Sequence, residues 1–170
     1  MNTLTSRWLP LMAALPFLIA SCGPSAPSNE DVAAGDGAEQ VVDETADEVL
    51  TVVNSLFQAM QARDSTRIRM TLHPDAVFTS VNLTGDEATI GRVEGDAFAS
   101  SVGQPGPAYV ERMLDPSVEY DGDFAHVWTY YDFHIADSLS HCGHDAIQLV
   151  RNNNGAWRIL GITYTRTACK

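Results

Sequence analysis

Between residues 43 and 62 apolar side chains recur every three or four positions: Val49, Val52, Val53, Leu56, Phe57 and Met60. That spacing lays one apolar stripe along a helix. The acids Asp43, Glu44, Asp47 and Glu48 crowd its start, where the helix dipole favours negative charge. Asp64 then suits the N-cap of a short second helix over 65–72. Pro74 ends it by biasing His73 away from helical angles.

Beyond that point the pattern shifts towards alternation. Residues 76–83 read as a strand, Thr84-Gly85-Asp86 as a turn and 87–93 as the partner strand. A short helix over 94–102 ends at Gly103, and Gln104-Pro105-Gly106-Pro107 forms a loop. Residues 108–120 predict a long strand in which Pro116 marks a bulge or an edge position. Asp121-Gly122-Asp123 is a hairpin signal. Three further strands follow to Cys169, with Asn152-Asn153-Asn154-Gly155 closing the last hairpin. Helices segregated from a run of antiparallel strands define an α+β class, with the helices covering one face of a curved sheet. Such a sheet forms a cone with an open mouth, a natural place for a ligand.

Side-chain parity sorts the candidate chemistry. In the aromatic strand Ala125, Val127, Thr129, Tyr131 and Phe133 share one face, opposite His126, Trp128, Tyr130, Asp132 and His134. The first set is the more apolar and belongs on the concave side. On the next strand Gly143, Asp145, Ile147 and Leu149 share a face, which sends Asp145 into the cone. A carboxyl there has its pKa raised by desolvation, or is held by hydrogen bonds. With Tyr131 beside it and His73 near the second helix, Asp145 is a candidate general acid or base. The alternative places Asp145 at the rim, bonded to backbone or to a tyrosine hydroxyl. Separately, His73 is a polar residue closing the second helix before Pro74 or a member of the site, and His141 is expected to be a turn residue. Tyr131, Phe133, Asp145, Ile147, Tyr164 and His73 are the expected ligand-binding set. Trp128 and Tyr130 on the outer face, with Tyr164, line either a ligand slot or a subunit interface.

The first 42 residues change the picture from fold to address. Arg7 precedes an apolar run over 8–20 that is too short to span a bilayer, which reads as an export signal. Ile19-Ala20-Ser21-Cys22 resembles a bacterial lipobox, whose cysteine becomes the lipidated N-terminus. An ordinary signal with an incidental cysteine is the alternative. The expected organisation is a signal peptide over 1–21, lipidated Cys22 with a disordered linker over 22–42, and one domain over 43–170. The expected location is the bacterial cell envelope, anchored to the membrane by lipid and facing the periplasm or the cell exterior. The formal net charge of −12 argues against nucleic acid as a partner, since its phosphates attract cations.

Export also bears on the cysteines. Pairing Arg151 near Ala156 across the last turn puts Cys142 opposite about Thr165 and close to Cys169. In an oxidising compartment the two form a disulfide, worth about 3.5 kcal/mol in a chain-entropy account. Two free thiols are the alternative. His134, His141, His144 and Cys142 invite a metal, but His141 and His144 fall on opposite faces, so no metal site is expected. No glycine-rich phosphate loop or Ser-His-Asp arrangement is present, and no cofactor is expected.

Leu56, Ala59, Arg63-Asp64 and Leu72-His73-Pro74-Asp75-Ala76 resemble the opening of nuclear-transport-factor-2-like (NTF2-like, SnoaL-like) domains. The stretch Gly122-Asp123-Phe124-Ala125-His126-Val127-Trp128 continues the likeness, with Tyr131-Asp132-Phe133, Ser140-His141-Cys142-Gly143, Asp145 and Leu149. Gly155-Ala156-Trp157-Arg158-Ile159, Ile162-Thr163-Tyr164-Thr165 and Cys169 complete it. These segments are similar to a bacterial branch of lumazine-binding-type or nuclear-transport-factor-2-family proteins, several of them lipoproteins. The resemblance spans 43–169 and implies a cone wrapped by about three helices, with homodimerisation through the sheet face. It does not select a function, since the superfamily holds isomerases, epoxide hydrolases, cyclases, dehydratases and noncatalytic binders. The expected role is noncatalytic binding of a small, partly apolar molecule. The rivals are a lyase-, isomerase- or hydrolase-type enzyme using Asp145, and a protein-interaction module using the sheet face.

Overall fold

The computed structural model describes residues 43–169; the expected signal segment, Cys22 and the linker lie outside them. Helix α1 spans Glu44–Gln61, and Asp43 caps it by accepting the Ala46 N–H. Helix α2 spans Ser65–Thr71, and Asp64 caps it by accepting the Arg67 N–H. Strand β1 (Leu72–Asn82) and strand β2 (Thr89–Glu94) lead to helix α3 (Gly95–Val102). Strands β3 (Tyr109–Asp121), β4 (Phe124–Ile135), β5 (Ser138–Arg151) and β6 (Trp157–Arg166) then run consecutively.

One six-stranded sheet has the order β2-β1-β6-β5-β4-β3, antiparallel except where β1 meets β6. Helices α1 and α3 pack on its concave face, α1 chiefly against β3 and β6, α3 chiefly against β1. The core joins Val49, Val53 and Leu56 of α1 to Val127, Ile147 and Ile159 of the sheet, all fully buried. Each such side chain contributes about 1.5–3 kcal/mol by leaving water. Glu48 ties α1 to the last hairpin, accepting from Trp157 Nε1 at 3.3 Å and pairing with Arg151 at 3.0 Å.

The ladder is interrupted at four places, one of them between Phe133 and His134 on β4, where Ser140 of β5 is left unpaired. Strand β1 starts at Leu72 rather than 76, because Leu72 pairs with Ile159 and pairing resumes only at Val77. His73-Pro74-Asp75-Ala76 bulges out between them, as expected where proline offers no N–H. In edge strand β3 the register shifts between Leu114 and Ser117, around Asp115 at φ 53° and Pro116. The last hairpin pairs Arg151 with Trp157, and a further shift between Gln148 and Leu149 sets Cys142 opposite Thr167 rather than Thr165. Cys169 still reaches Cys142, and the two are disulfide-bonded with 5.1 Å between Cα atoms.

Candidate functional site

Alternation along β3 to β6 aims one residue in two into the space between sheet and helices. A cavity of about 450 Å³ opens there. Its apolar wall comes from Leu56, Phe57 and Met60 of α1, Phe98 and Val102 of α3, and Phe78 and Ile162 of the sheet. Tyr109 and Phe133 stack at a tilt beside them, ring centroids 5.6 Å apart. Arg63, at the α1–α2 turn, lies over the Tyr109 ring at 4.3 Å and donates to Gln104 O at 2.6 Å. That contact fixes the loop before β3 against the helices.

The polar side of the cavity holds the titratable Glu111, Tyr131, His141, Asp145, Tyr164 and Arg166, with Ser101 and Ser140. Asp145 is 1 % exposed, and its Oδ2 receives no hydrogen bond from an N–H or hydroxyl. The Glu111 carboxyl lines the same cavity close enough for the two acids to influence each other's titration. Burial pushes the Asp145 pKa up to about 7, while the bond from Glu111 opposes that rise. Glu111 borders the cavity and so keeps some exposed surface. Protein atoms nonetheless surround its carboxyl, and burial first, then the charge of Asp145, hold its pKa well above the usual range. Burial thus favours the protonated form of both carboxyls.

Tyr131 is the next neighbour. Gly143 lies opposite it on β5, and a Cβ at Gly143 would collide with the Thr165 carbonyl. Through that gap the Tyr131 hydroxyl donates to Thr165 O at 2.7 Å. The β5–β6 ladder is interrupted here, between the Asp145–Tyr164 and Cys142–Thr167 pairs, so the tyrosine stands in for a missing backbone donor. Burial raises its pKa beyond the ordinary tyrosine value, and its proton is already committed to backbone. Thr129 does similar work one step along β4, accepting from Leu114 N at 3.2 Å beside the β3 bulge. Toward the mouth, His141 is half-buried and its pKa falls to about 4, through burial first and then the charge of Arg166. At neutral pH its imidazole is uncharged. Among the described residues Arg166 has no acidic partner, and no three side chains of metal-binding type gather.

Solved structures share this fold. An NTF2-like protein from Cytophaga hutchinsonii superposes with a TM-score of 0.59 at 16 % identity, covering 72 % of this chain and 98 % of its own. An NTF2-like protein of unknown function from Shewanella baltica gives 0.56 at 12 %, over 74 % and 96 %. A nuclear transport factor 2 (NTF2-like) superfamily protein from Salmonella enterica gives 0.57 at 14 %, over 75 % and 94 %. The fold is NTF2-like. No protein-family model matches the sequence, and no curated protein does; the likeness is one of architecture.

Within the NTF2-like cone the expected residues separate. Tyr131, Phe133, Asp145 and Tyr164 line the cavity; Ile147 and His73 do not. Ile147 points the same way as Asp145 but sits two residues deeper, sealed in the core. His73 lies in the β1 bulge outside the cavity, where Nδ1 accepts the Asp75 N–H at 3.2 Å. His141 is not a turn residue: the β4–β5 turn falls at Ala136 and Asp137, and His141 lies within β5 opposite Phe133. Glu111 and Arg166 were missed. Arg166 carries the parity of Ile162 and Tyr164, a signal present in the sequence. Glu111 shares parity with Tyr109 and Met113, but the bulge after Leu114 breaks the pattern that would have assigned the face. Trp128 is 48 % exposed on the convex side, stacked on His144.

Proposed function

We propose that this protein holds a small, partly apolar molecule in the NTF2-like cone without transforming it. Lipid on Cys22 would anchor it to a bacterial membrane, with the domain facing the periplasm or the cell exterior. The observation that carries the binding reading is the open cavity of about 450 Å³. It is walled by aromatic and aliphatic side chains with a few convergent polar groups, the usual constitution of a small-molecule site. A thermal-shift panel of small apolar and amphipathic compounds tests it, because a ligand at one hundred times its Kd adds about 2.7 kcal/mol to the native state. Hits should raise Tm, and Ser101→Trp, which fills the cavity from α3, should abolish the rise. A panel without hits, or hits indifferent to Ser101→Trp, would count against binding.

The second reading is an enzyme of lyase, isomerase or hydrolase type. Asp145 favours it specifically, as a carboxyl with a pKa near 7 facing the cavity, suited to general acid or base work. Turnover of a bound compound that Asp145→Asn removes would establish it. For the anchor and for a homodimer through the convex sheet, supported by the exposed Trp128, two variants serve. Cys22→Ser should move the protein from the membrane to the soluble fraction, and Trp128→Asp should halve the sedimenting mass. An unchanged distribution or an unchanged mass would dismiss the respective assignment.

A further inference from the structure

The charged groups of the cone fall into two sets, the buried Asp145 with Glu111 and the exposed Arg166. Asp145 and Glu111 both line the cavity, and among the described residues neither carboxyl forms an ion pair. Arg166, exposed near the end of β6, lines the same cavity, and its charge reaches His141, Tyr131 and Tyr164. Asp145 pairs across the ladder with Tyr164, and Arg166 is two residues further on the same face, about 7 Å along the strand. The rings of Tyr109, Phe133 and Tyr164 line the same cavity.

Resting on the binding reading above, we infer that the ligand is an amphoteric organic amine. Its ammonium docks on the Glu111–Asp145 pair, its apolar body lies among the rings, and an anionic group meets Arg166. The buried Oδ2 of Asp145 is an acceptor that no N–H or hydroxyl serves, and an ammonium brings several donors. Two carboxyls crowded in an apolar site repel as anions and therefore keep protons; a cation placed on them removes that need. Docking the ammonium expels a proton to solvent, and the ligand's own charge replaces it.

The other groups facing the pair do not supply this charge. From β4 comes Tyr131, neutral and bonded to Thr165 O. From β5 comes His141, uncharged at neutral pH. From β6 comes Tyr164, whose pKa is raised chiefly by burial. The helices contribute Ser101 and apolar side chains.

The probe is 4-(2-aminoethyl)benzoate, with 2-phenylethylamine, 4-ethylbenzoate and 4-ethylbenzamide as companions lacking one or both charges. Calorimetry is run on the exported protein near neutral pH in buffers of different ionisation enthalpy. The amphoteric probe should bind at least tenfold tighter than any companion, and both amines should release about one proton on binding. Glu111→Gln and Asp145→Asn should each weaken both amines at least tenfold and reduce the proton release, leaving 4-ethylbenzamide unchanged. Arg166→Gln, at an exposed position, should weaken only the two carboxylates.

If 4-ethylbenzamide binds as well as the amines, or the acid variants leave amine binding intact, the amine assignment falls and the cone remains an apolar-ligand site. If Arg166→Gln leaves the amphoteric probe unaffected, the anionic contact falls. Should none of the four bind while the thermal-shift panel yields hits sensitive to Ser101→Trp, the assignment falls alone. Silence in both experiments overturns the binding reading with it.

Discussion

Glu111, Asp145 and His141 share one cavity yet respond to burial in opposite directions. Desolvation raises the two acids, Asp145 to about 7, and lowers His141 to about 4. From about pH 4.3 to 6.5 the folded protein keeps protons on carboxyls that the unfolded chain has lost. Over the same window the unfolded chain holds a proton that folded His141 lacks. Stability therefore falls with rising pH through the acids and rises through the imidazole. Asp145→Asn removes one falling contribution, so the slope of unfolding free energy should become more positive by up to about 1.4 kcal/mol per pH unit. His141→Asn should shift it by a similar amount in the negative direction. Denaturant titrations across that window measure the slopes; parallel lines for the three proteins would contradict these assignments. Gly143 is a residue-scale constraint of another kind. Gly143→Ala would drive a methyl into the Thr165 carbonyl and displace the Tyr131 hydrogen bond, costing at least about 2 kcal/mol by the usual scale of overpacking. Chemical denaturation reads this directly, and a cost under 0.5 kcal/mol, the range of a neutral surface change, would show that β6 moves aside freely.

Among the elements, those with a strong period and a cap were legible. Helix α1 follows from the stripe through Val49, Val53, Leu56 and Met60, and α2 from Asp64. The concave face of β4 follows from alternation, and its five assigned residues point inward as parity requires. The limits were local. Bulges are single-residue insertions, and parity carries no mark of them until pairing is known. The shift between Gln148 and Leu149 displaced the partner of Cys142 by two positions, together with a turn one residue longer than expected. The disulfide tolerated that error because Cys169 lies past the last bridge, Cys142–Thr167, where no ladder pairing fixes its position. Asp145 was found because an acid among apolar neighbours of one parity is conspicuous; its partner came from an edge strand whose alternation a proline interrupts. Ile147 shows the remaining limit, since parity says which face a residue takes and not how far along the strand the cavity extends.

For the whole molecule, the division of labour follows the sheet's curvature. The closed end is a hydrocarbon core shared by α1 and the middle of β4, β5 and β6. The open end exchanges some of that packing for space. There the missing helix contacts are offset by substitutes: Arg63 across the α3–β3 loop, Tyr131 on the Thr165 carbonyl, and the Cys142–Cys169 bond. Removing the bond with Cys142→Ser/Cys169→Ser should lower stability by about 2–4 kcal/mol and loosen the mouth more than the core. Hydrogen exchange at Thr165, Arg166 and Thr167 compared with Ile147 and Leu149 distinguishes those outcomes; uniform acceleration would mean that the bridge stabilises the domain globally.

The bridge also has a topological meaning. The chain from Cys142 to Cys169 is a closed covalent ring that contains β6, most of β5 and the Asn152–Gly155 turn. A protease that cuts the exposed turn opens the ring without parting the protein, and the two strands carrying Asp145, Tyr164 and Arg166 remain tethered across the cut. Such a nicked protein would migrate intact on a non-reducing gel and as two pieces once reduced. In an environment crowded with proteases, the hairpin that forms one side of the cavity is thus protected against loss even when its backbone is broken.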